Sequence, residues 1–244
     1  MNLKLKTLLF GLALFISSTI LKAQSADDII SKYIQKVGGT EKWNLVKSMI
    51  SAGNSQLMGQ EFPYTVSSKS PNLNRLDVTA MGQTLIQAYD GKTAWTINPF
   101  QGSGKPEIMS PELTKAFSSQ NQIRPSLFDL SAKGLKSTII GKENVGAVAC
   151  DKIEITHPEG DKDYYFFDPS TSLLVLIRKT ATGGQLTGKT ADSYLSDYRD
   201  EQGLLIPHII EIKVDGQVFS KNITNSVKIN TPVDSKLFDF PKDK

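Results

Sequence analysis

From Lys47 onward, apolar and polar residues alternate with period two, the pattern of half-buried strands. A first series of strands is predicted near 47–58, 62–69, 73–80, 83–90 and 93–98. Gly59-Gln60, Ser70-Pro71-Asn72, Met81-Gly82 and Asp90-Gly91 separate them. An Asp-Gly pair between alternating runs marks a hairpin, because glycine reaches positive φ at little cost. Asp90 therefore has a structural task before any chemical one. A second series is predicted at 136–143, 147–157, 162–168, 172–180, 186–199, 205–215 and 217–229. Turn signals at Asn144-Val145-Gly146, Pro158-Glu159-Gly160, Asp168-Pro169-Ser170, Gly183-Gly184, Gln202-Gly203 and Asp215-Gly216 punctuate it. Eleven or twelve strands with short antiparallel connections predict a mainly β protein, built as a strongly curved sheet or an incomplete antiparallel barrel.

Two stretches break the alternation. Over 26–46, Ile29, Ile30, Tyr33, Ile34 and Val37 recur at steps of three and four, giving a helix with one apolar face. Ser25 or Asp27 can cap it, Gly38-Gly39 ends it, and Thr40-Glu41-Lys42-Trp43 opens a short second helix. In mid-chain, Ser110-Pro111-Glu112 combines a capping hydroxyl, a first-turn proline and an acid against the helix dipole. Leu113, Ala116 and Phe117 give that helix an apolar side. A further short helix is predicted from Pro125 to Ala132, with Leu127, Phe128 and Leu130 apolar and Gly134 ending it. The final Leu237-Phe238-Asp239-Phe240-Pro241 alternates and stops at a proline. No repeat or low-complexity linker interrupts 24–244, which reads as a single domain.

The first 23 residues stand apart. Lys4 and Lys6 precede an apolar run, Leu8 to Leu21, and the small residue Ala23 follows. This is the layout of a secretory signal peptide cut after Ala23. The run is short of the roughly 20 residues that cross a bilayer. The expected location is the periplasm. Removing the leader changes the charge balance. The whole chain carries 28 basic and 25 acidic residues, and Lys4, Lys6 and Lys22 all lie in 1–23. The remainder is balanced at 25 against 25, so charge makes no case for nucleic acid or an acidic membrane surface. The one cysteine, Cys150, follows the apolar Ala147-Val148-Ala149 and reads as a buried thiol.

Candidate chemistry is sparse. The two histidines, His157 and His208, each sit at a strand edge beside a proline. His157 with Glu159 and Asp161 is a loose cluster on a turn, without the spacing of a metal site. Gly-x-Ser-x-Gly is absent, and Gly102-Ser103-Gly104-Lys105 lacks the remaining positions of a phosphate loop. No catalytic, metal or cofactor set is assigned. What the chain does have is a surplus of apolar strand residues, as in Leu173-Leu174-Val175-Leu176-Ile177 and Ile209-Ile210. A curved sheet covered by mid-chain helices would enclose an apolar cavity. A packed core would show the same periodicity, and pattern alone leaves both open.

Asp90-Gly91-Lys92-Thr93-Ala94-Trp95 followed by Asn98-Pro99-Phe100 closely resembles the LolA family of periplasmic lipoprotein carriers. Lys69-Ser70-Pro71-Asn72-Leu73 resembles that family's segment one hairpin earlier, and Phe238-Asp239-Phe240-Pro241 its closing strand. The resemblance implies an unclosed barrel with helices as a lid over an apolar cavity that takes lipoprotein acyl chains. The partners implied are acylated lipoproteins or free lipid, an inner-membrane release complex and an outer-membrane acceptor, with the carrier a monomer that does no chemistry. Carried onto this chain, the cavity and lid residues are Trp95, Ile97, Pro99, Phe100, Leu113, Phe117, Leu127 and Phe128. A strand tryptophan is as often plain core, so Trp95 has two readings. One position departs from the family: an arginine that ties lid to barrel is replaced by Ser70. The alternative function is a binder or sensor of another lipid or apolar molecule in the cell envelope.

Overall fold

A computed structural model describes residues 24–57, 59–102, 104–120, 122–181 and 186–241. The predicted signal peptide at 1–23 and the Gly183-Gly184 turn lie outside the described residues. Two helices, α1 (Ala26–Lys36) and α2 (Gly39–Asn44), open the fold. Six strands follow: β1 (Ser48–Leu57), β2 (Gln60–Lys69), β3 (Leu73–Ala80), β4 (Gln83–Tyr89), β5 (Ala94–Ile97) and β6 (Pro106–Ile108). After α3 (Pro111–Gln120) come β7 (Lys136–Val145), β8 (Val148–Thr156), β9 (Lys162–Phe167), β10 (Leu174–Thr180), β11 (Thr190–Glu201), β12 (Leu204–Val214) and β13 (Gln217–Ile229).

All thirteen strands form one antiparallel sheet in the order β6-β5-β4-β3-β2-β1-β13-β12-β11-β10-β9-β8-β7. The chain runs outward from β1 to the β6 edge. It crosses through α3 and residues 122–135 to the opposite edge at β7, then returns strand by strand to β13 beside β1. The two edges do not pair, so the curved sheet is an unclosed barrel. The mid-chain crossing spans that opening. Its α3 lies against β4 and β5, while Lys115 reaches Glu159 in the β8–β9 turn at 2.8 Å.

The main core fills one face. Ser25 caps α1 through a reciprocal box with Asp28, and Ile29, Ile30 and Tyr33 turn inward. They meet Ile153, Ile155, Tyr165, Phe167 and Leu174 from the sheet, with Tyr33 edge-on to Phe167 at 5.6 Å. Trp43 of α2 donates its indole N–H to the Val37 carbonyl at 3.0 Å and stands edge-on to Phe128 at 6.0 Å. Each such fully buried side chain contributes about 1.5–3 kcal/mol. The other face carries a small cluster of Cys150, Phe166 and Leu176. Lys152 and Arg178 lie over Phe166 there and pair with Glu143, Arg178 also taking Asp192. Strand β10 thus feeds both clusters, as its unbroken apolar run predicts. Cys150 is buried, and burial raises its thiol pKa.

Four expectations are corrected. The 125–132 segment is not a helix but successive turns ending in a 3-10 turn at Ser131–Lys133, because Asp129 sits at φ +59° and breaks the helical run. The predicted strand beginning at 186 starts at Thr190, since Lys189 N–H bonds back to Leu186 in a turn. A three-residue strand, β6, was not predicted; its pairing with β5 creates it. The C-terminal segment is not a strand. Asp234 caps a 3-10 turn at Ser235–Leu237, and the chain then runs as a strap.

Candidate functional site

Pairing register sorts the side chains of β1–β5 onto two faces. Met49 belongs to the helix-covered core and lies opposite Ser68, which lies opposite Asn74. Two residues along, Ser51 opposes Val66 and Val66 opposes Leu76. Tyr64 opposes Val78, which opposes Leu85. The helix-covered face of these strands therefore presents Phe62, Tyr64 and Val66 from β2, Leu76 and Val78 from β3, and Leu85 from β4. The other face of the same strands carries Glu61, Thr65, Ser67, Lys69, Arg75, Asp77, Thr79 and Thr84, and toward β5 the apolar Ile86, Ala88, Trp95 and Ile97.

This apolar wall is unlike the rest of the covered face. Phe62, Val66, Leu76, Val78 and Leu85 are half-buried, and none belongs to the main core. Tyr64 is buried, its hydroxyl hydrogen-bonded to Thr224 at 2.7 Å across Gly53. A side chain at Gly53 would strike the Ile223 carbonyl, and that close approach lets β13 pass. Helices α1 and α2 with residues 122–135 cover the β8–β12 side of the face, whereas α3 lies against β4 and β5 and the β2–β4 side chains are only half-buried.

At the β2–β3 end of the wall is a cleft of about 170 Å³. Val46, Ser70, Pro71, Asn72, Gln122, Ile123, Arg124, Phe128, Asp129 and Lys133 line it. Arg124 pairs with Asp129 at 2.6 Å and lies 5.2 Å over the Phe128 ring, its Nε buried with no hydrogen-bond partner among the described residues. Burial holds the Lys133 ammonium below its ordinary pKa. Ligand pockets run from about 300 Å³ upward, so the cleft is a mouth rather than a complete pocket. In sequence, Ser70 stands where arginine is expected; in space, the arginine at this seam is Arg124, on the mid-chain segment.

The eight residues drawn from the sequence fall into separate groups. Leu127 and Phe128 join the main core, and Phe117 of α3 is also buried. Ile97 and Pro99 are half-buried, while Phe100 and Leu113 are exposed at 45% and 39%. Trp95 lies elsewhere. It opposes Ala88, which opposes Arg75, which opposes Ser67, on the face turned away from Met49. The C-terminal strap seals it there. Trp95 donates its indole N–H to the Phe238 carbonyl at 2.8 Å and stands edge-on to Phe240 at 6.1 Å. Arg75 donates to the Leu237 carbonyl and Lys69 to Val233 on the way. Asp90 accepts from the N–H groups of Lys92 and Thr93, the turn task read from its sequence. The apolar wall itself was written in the alternation of 62–66 and 76–78. Burial alone separates it from core, and sequence does not report burial.

The histidines have structural partners. His157 pairs with Asp163 at 2.9 Å, and Glu159 pairs with Lys115 instead. His208 is not at a strand edge but within β12, buried, with Nδ1 2.8 Å from the Thr224 carbonyl. Among the described residues no three His, Cys, Asp or Glu side chains converge as metal ligands, and no helix is long and apolar enough to cross a membrane.

Solved structures place this architecture. A DUF1329 family protein from Desulfovibrio piger superposes with a TM-score of 0.60 at 9% identity, over 88% of this chain and 97% of its own. A LolA superfamily protein from Nitrosomonas europaea gives 0.57 at 14% identity, over 88% and 97%. The chain has the LolA-like fold. An outer membrane lipoprotein-sorting protein domain from Vibrio parahaemolyticus gives 0.57 at 9%, over 87% and 95%. No protein-family model and no curated protein matches the sequence. Identities this low speak for the LolA-like fold alone, and function must be argued from the site.

Proposed function

We propose that this chain is an exported carrier that takes up the acyl chains of a lipoprotein on its open apolar wall and hands them on without covalent chemistry. The observation that carries this is the file of Phe62, Val66, Leu76, Val78 and Leu85. It lies on the covered face of an unclosed sheet, yet outside the packed core. An apolar surface left half-exposed beneath a mid-chain crossing is suited to an apolar ligand. Residues 122–135 act as the lid. Leu127 and Phe128 lie on its inner side, and Phe117, Leu113 and Phe100 mark the path toward its rim. Residues 1–23 direct export to the periplasm and are removed after Ala23. An inner-membrane complex loads the carrier and an outer-membrane acceptor unloads it. The LolA-like fold supports this reading, since two of its neighbours are named for lipoprotein sorting or the LolA superfamily.

Native mass spectrometry of the protein isolated from its own periplasm, followed by organic extraction, tests the proposal. A bound acylated lipoprotein is the expected result. A second reading, a carrier or sensor of free lipid, is favoured by the mixed polar and charged lining of the cleft beside Ser70. It predicts a small lipid in place of the lipoprotein. An apolar ligand of neither kind in any preparation would overturn both.

A further inference from the structure

Asn74 is 1% exposed, and neither its amide nitrogen nor its amide oxygen has a hydrogen-bond partner among the described residues. Buried polar groups are nearly always paired, and one left unpaired is costly to the fold. Its position gives that cost a use. Asn74, Leu76 and Val78 alternate along β3 and face the same way, so Asn74 ends the apolar wall. Two residues further, Asn72 lines the polar cleft with Ser70, Gln122, Arg124 and Lys133. Along this face of β3 the side chains thus run from half-buried apolar, to one buried amide without a partner among the described residues, to Asn72 at the polar and cationic mouth. The apolar part, from Val78 to Asn74, is about 13 Å long at the rise of a strand.

A side-chain amide offers one acceptor and a donor pair side by side. The complementary group must present an N–H and a C=O on one edge. An extended peptide residue does this with its own N–H and C=O, as in the hydrogen-bonded pairs of an antiparallel ladder. A free fatty acid brings a charge to a buried site. An ester brings acceptors only and leaves the Asn74 oxygen unmet. Resting on the carrier reading above, we infer that Asn74 selects ligands whose acyl chain is joined to an amino acid through an amide. The chain lies on Leu76 and Val78, the N–H and C=O of the first residue meet Asn74, and the rest leaves through the cleft.

The test is a matched pair of probes: N-dodecanoylglycine ethylamide and its depsi analogue, with oxygen in place of the acylated N–H. Each is measured by displacement of an apolar fluorescent dye. The wild-type protein should bind the amide roughly tenfold more tightly than the depsi analogue. Asn74→Leu should abolish that preference, keep the affinity for the depsi analogue and raise the Tm of the ligand-free protein. Asn74→Ser serves where Asn74→Leu does not fold, and it should weaken the preference alone. Equal affinity of the wild type for both probes overturns the inference, as does an equal loss of both in either variant. Failure of the wild type to bind either probe, or the dye, would instead overturn the carrier reading beneath it.

Discussion

Replacing Trp95 with phenylalanine separates a wall residue from a structural one. The indole is 1% exposed and donates to the Phe238 carbonyl at 2.8 Å. Phenylalanine keeps an aromatic ring but removes that donor, leaving a buried carbonyl unmatched at a cost of about 1–3 kcal/mol. It also vacates part of the indole volume between Arg75 and Phe240, which adds roughly 1 kcal/mol. A total of about 2–4 kcal/mol corresponds to a fall in Tm of about 5–15 °C for a chain of this size. Urea unfolding followed by fluorescence suits the assay, because Trp43 remains as the sole indole. Affinity for an apolar dye should stay within twofold of wild type, since Trp95 faces away from the wall. Removing 234–241 should reproduce the stability loss. A variant of unchanged stability that binds the dye tenfold more weakly would refute the reasoning and return Trp95 to the ligand.

Three further outcomes follow from the packing. Phe128→Ala empties a site 2% exposed against Trp43 and beneath Arg124, and should lower stability by about 3–5 kcal/mol in denaturant titration; a loss under 1 kcal/mol would mean the mid-chain segment is not docked. Gly53→Ala sets a Cβ against the Ile223 carbonyl, so β1–β13 amides should lose hydrogen-exchange protection and stability should fall by about 3 kcal/mol or more. Burial pushes the Tyr33 and Tyr198 phenols above the ordinary tyrosine pKa of about 10. Their neutral forms are favoured in the fold, so this stabilisation is complete below about pH 10 and lost as pH rises above it. Tyr33→Phe should move the alkaline unfolding midpoint upward, and an unmoved midpoint would count against Tyr33 as a cause.

Most strands were legible because both signals act locally. Alternation fixes a face, and glycine or Asp-Gly fixes a turn, as at Asp90. The segment at 125–132 was misread because its apolar spacing suits a helix while Asp129, held by Arg124, adopts a left-handed backbone that no periodicity reveals. Strand β6 exists only because β5 offers it an edge. The site was harder still. The motif around Trp95 pointed correctly to the fold, but the side chain itself faces the strap, since the odd-numbered positions of β5 turn away from the helices. Val66, Leu76, Val78 and Leu85 look in sequence like any core residues. Asn74 looks like an ordinary strand polar group until its burial is known.

The C-terminal strap also sets an order of events. Trp95 and the carbonyl it bonds are 143 residues apart, and β1, paired with β2 on one side, finds its second partner only in β13. The first six strands therefore wait, one edge unpaired and one tryptophan uncovered, until β13 and Phe238 have left the ribosome. At about 5–20 residues per second that interval is roughly 7–30 seconds. For this molecule, assembly is gated by β13 and the strap at 233–240. A chain interrupted before β13 is a sheet with its aggregation-prone edge bare.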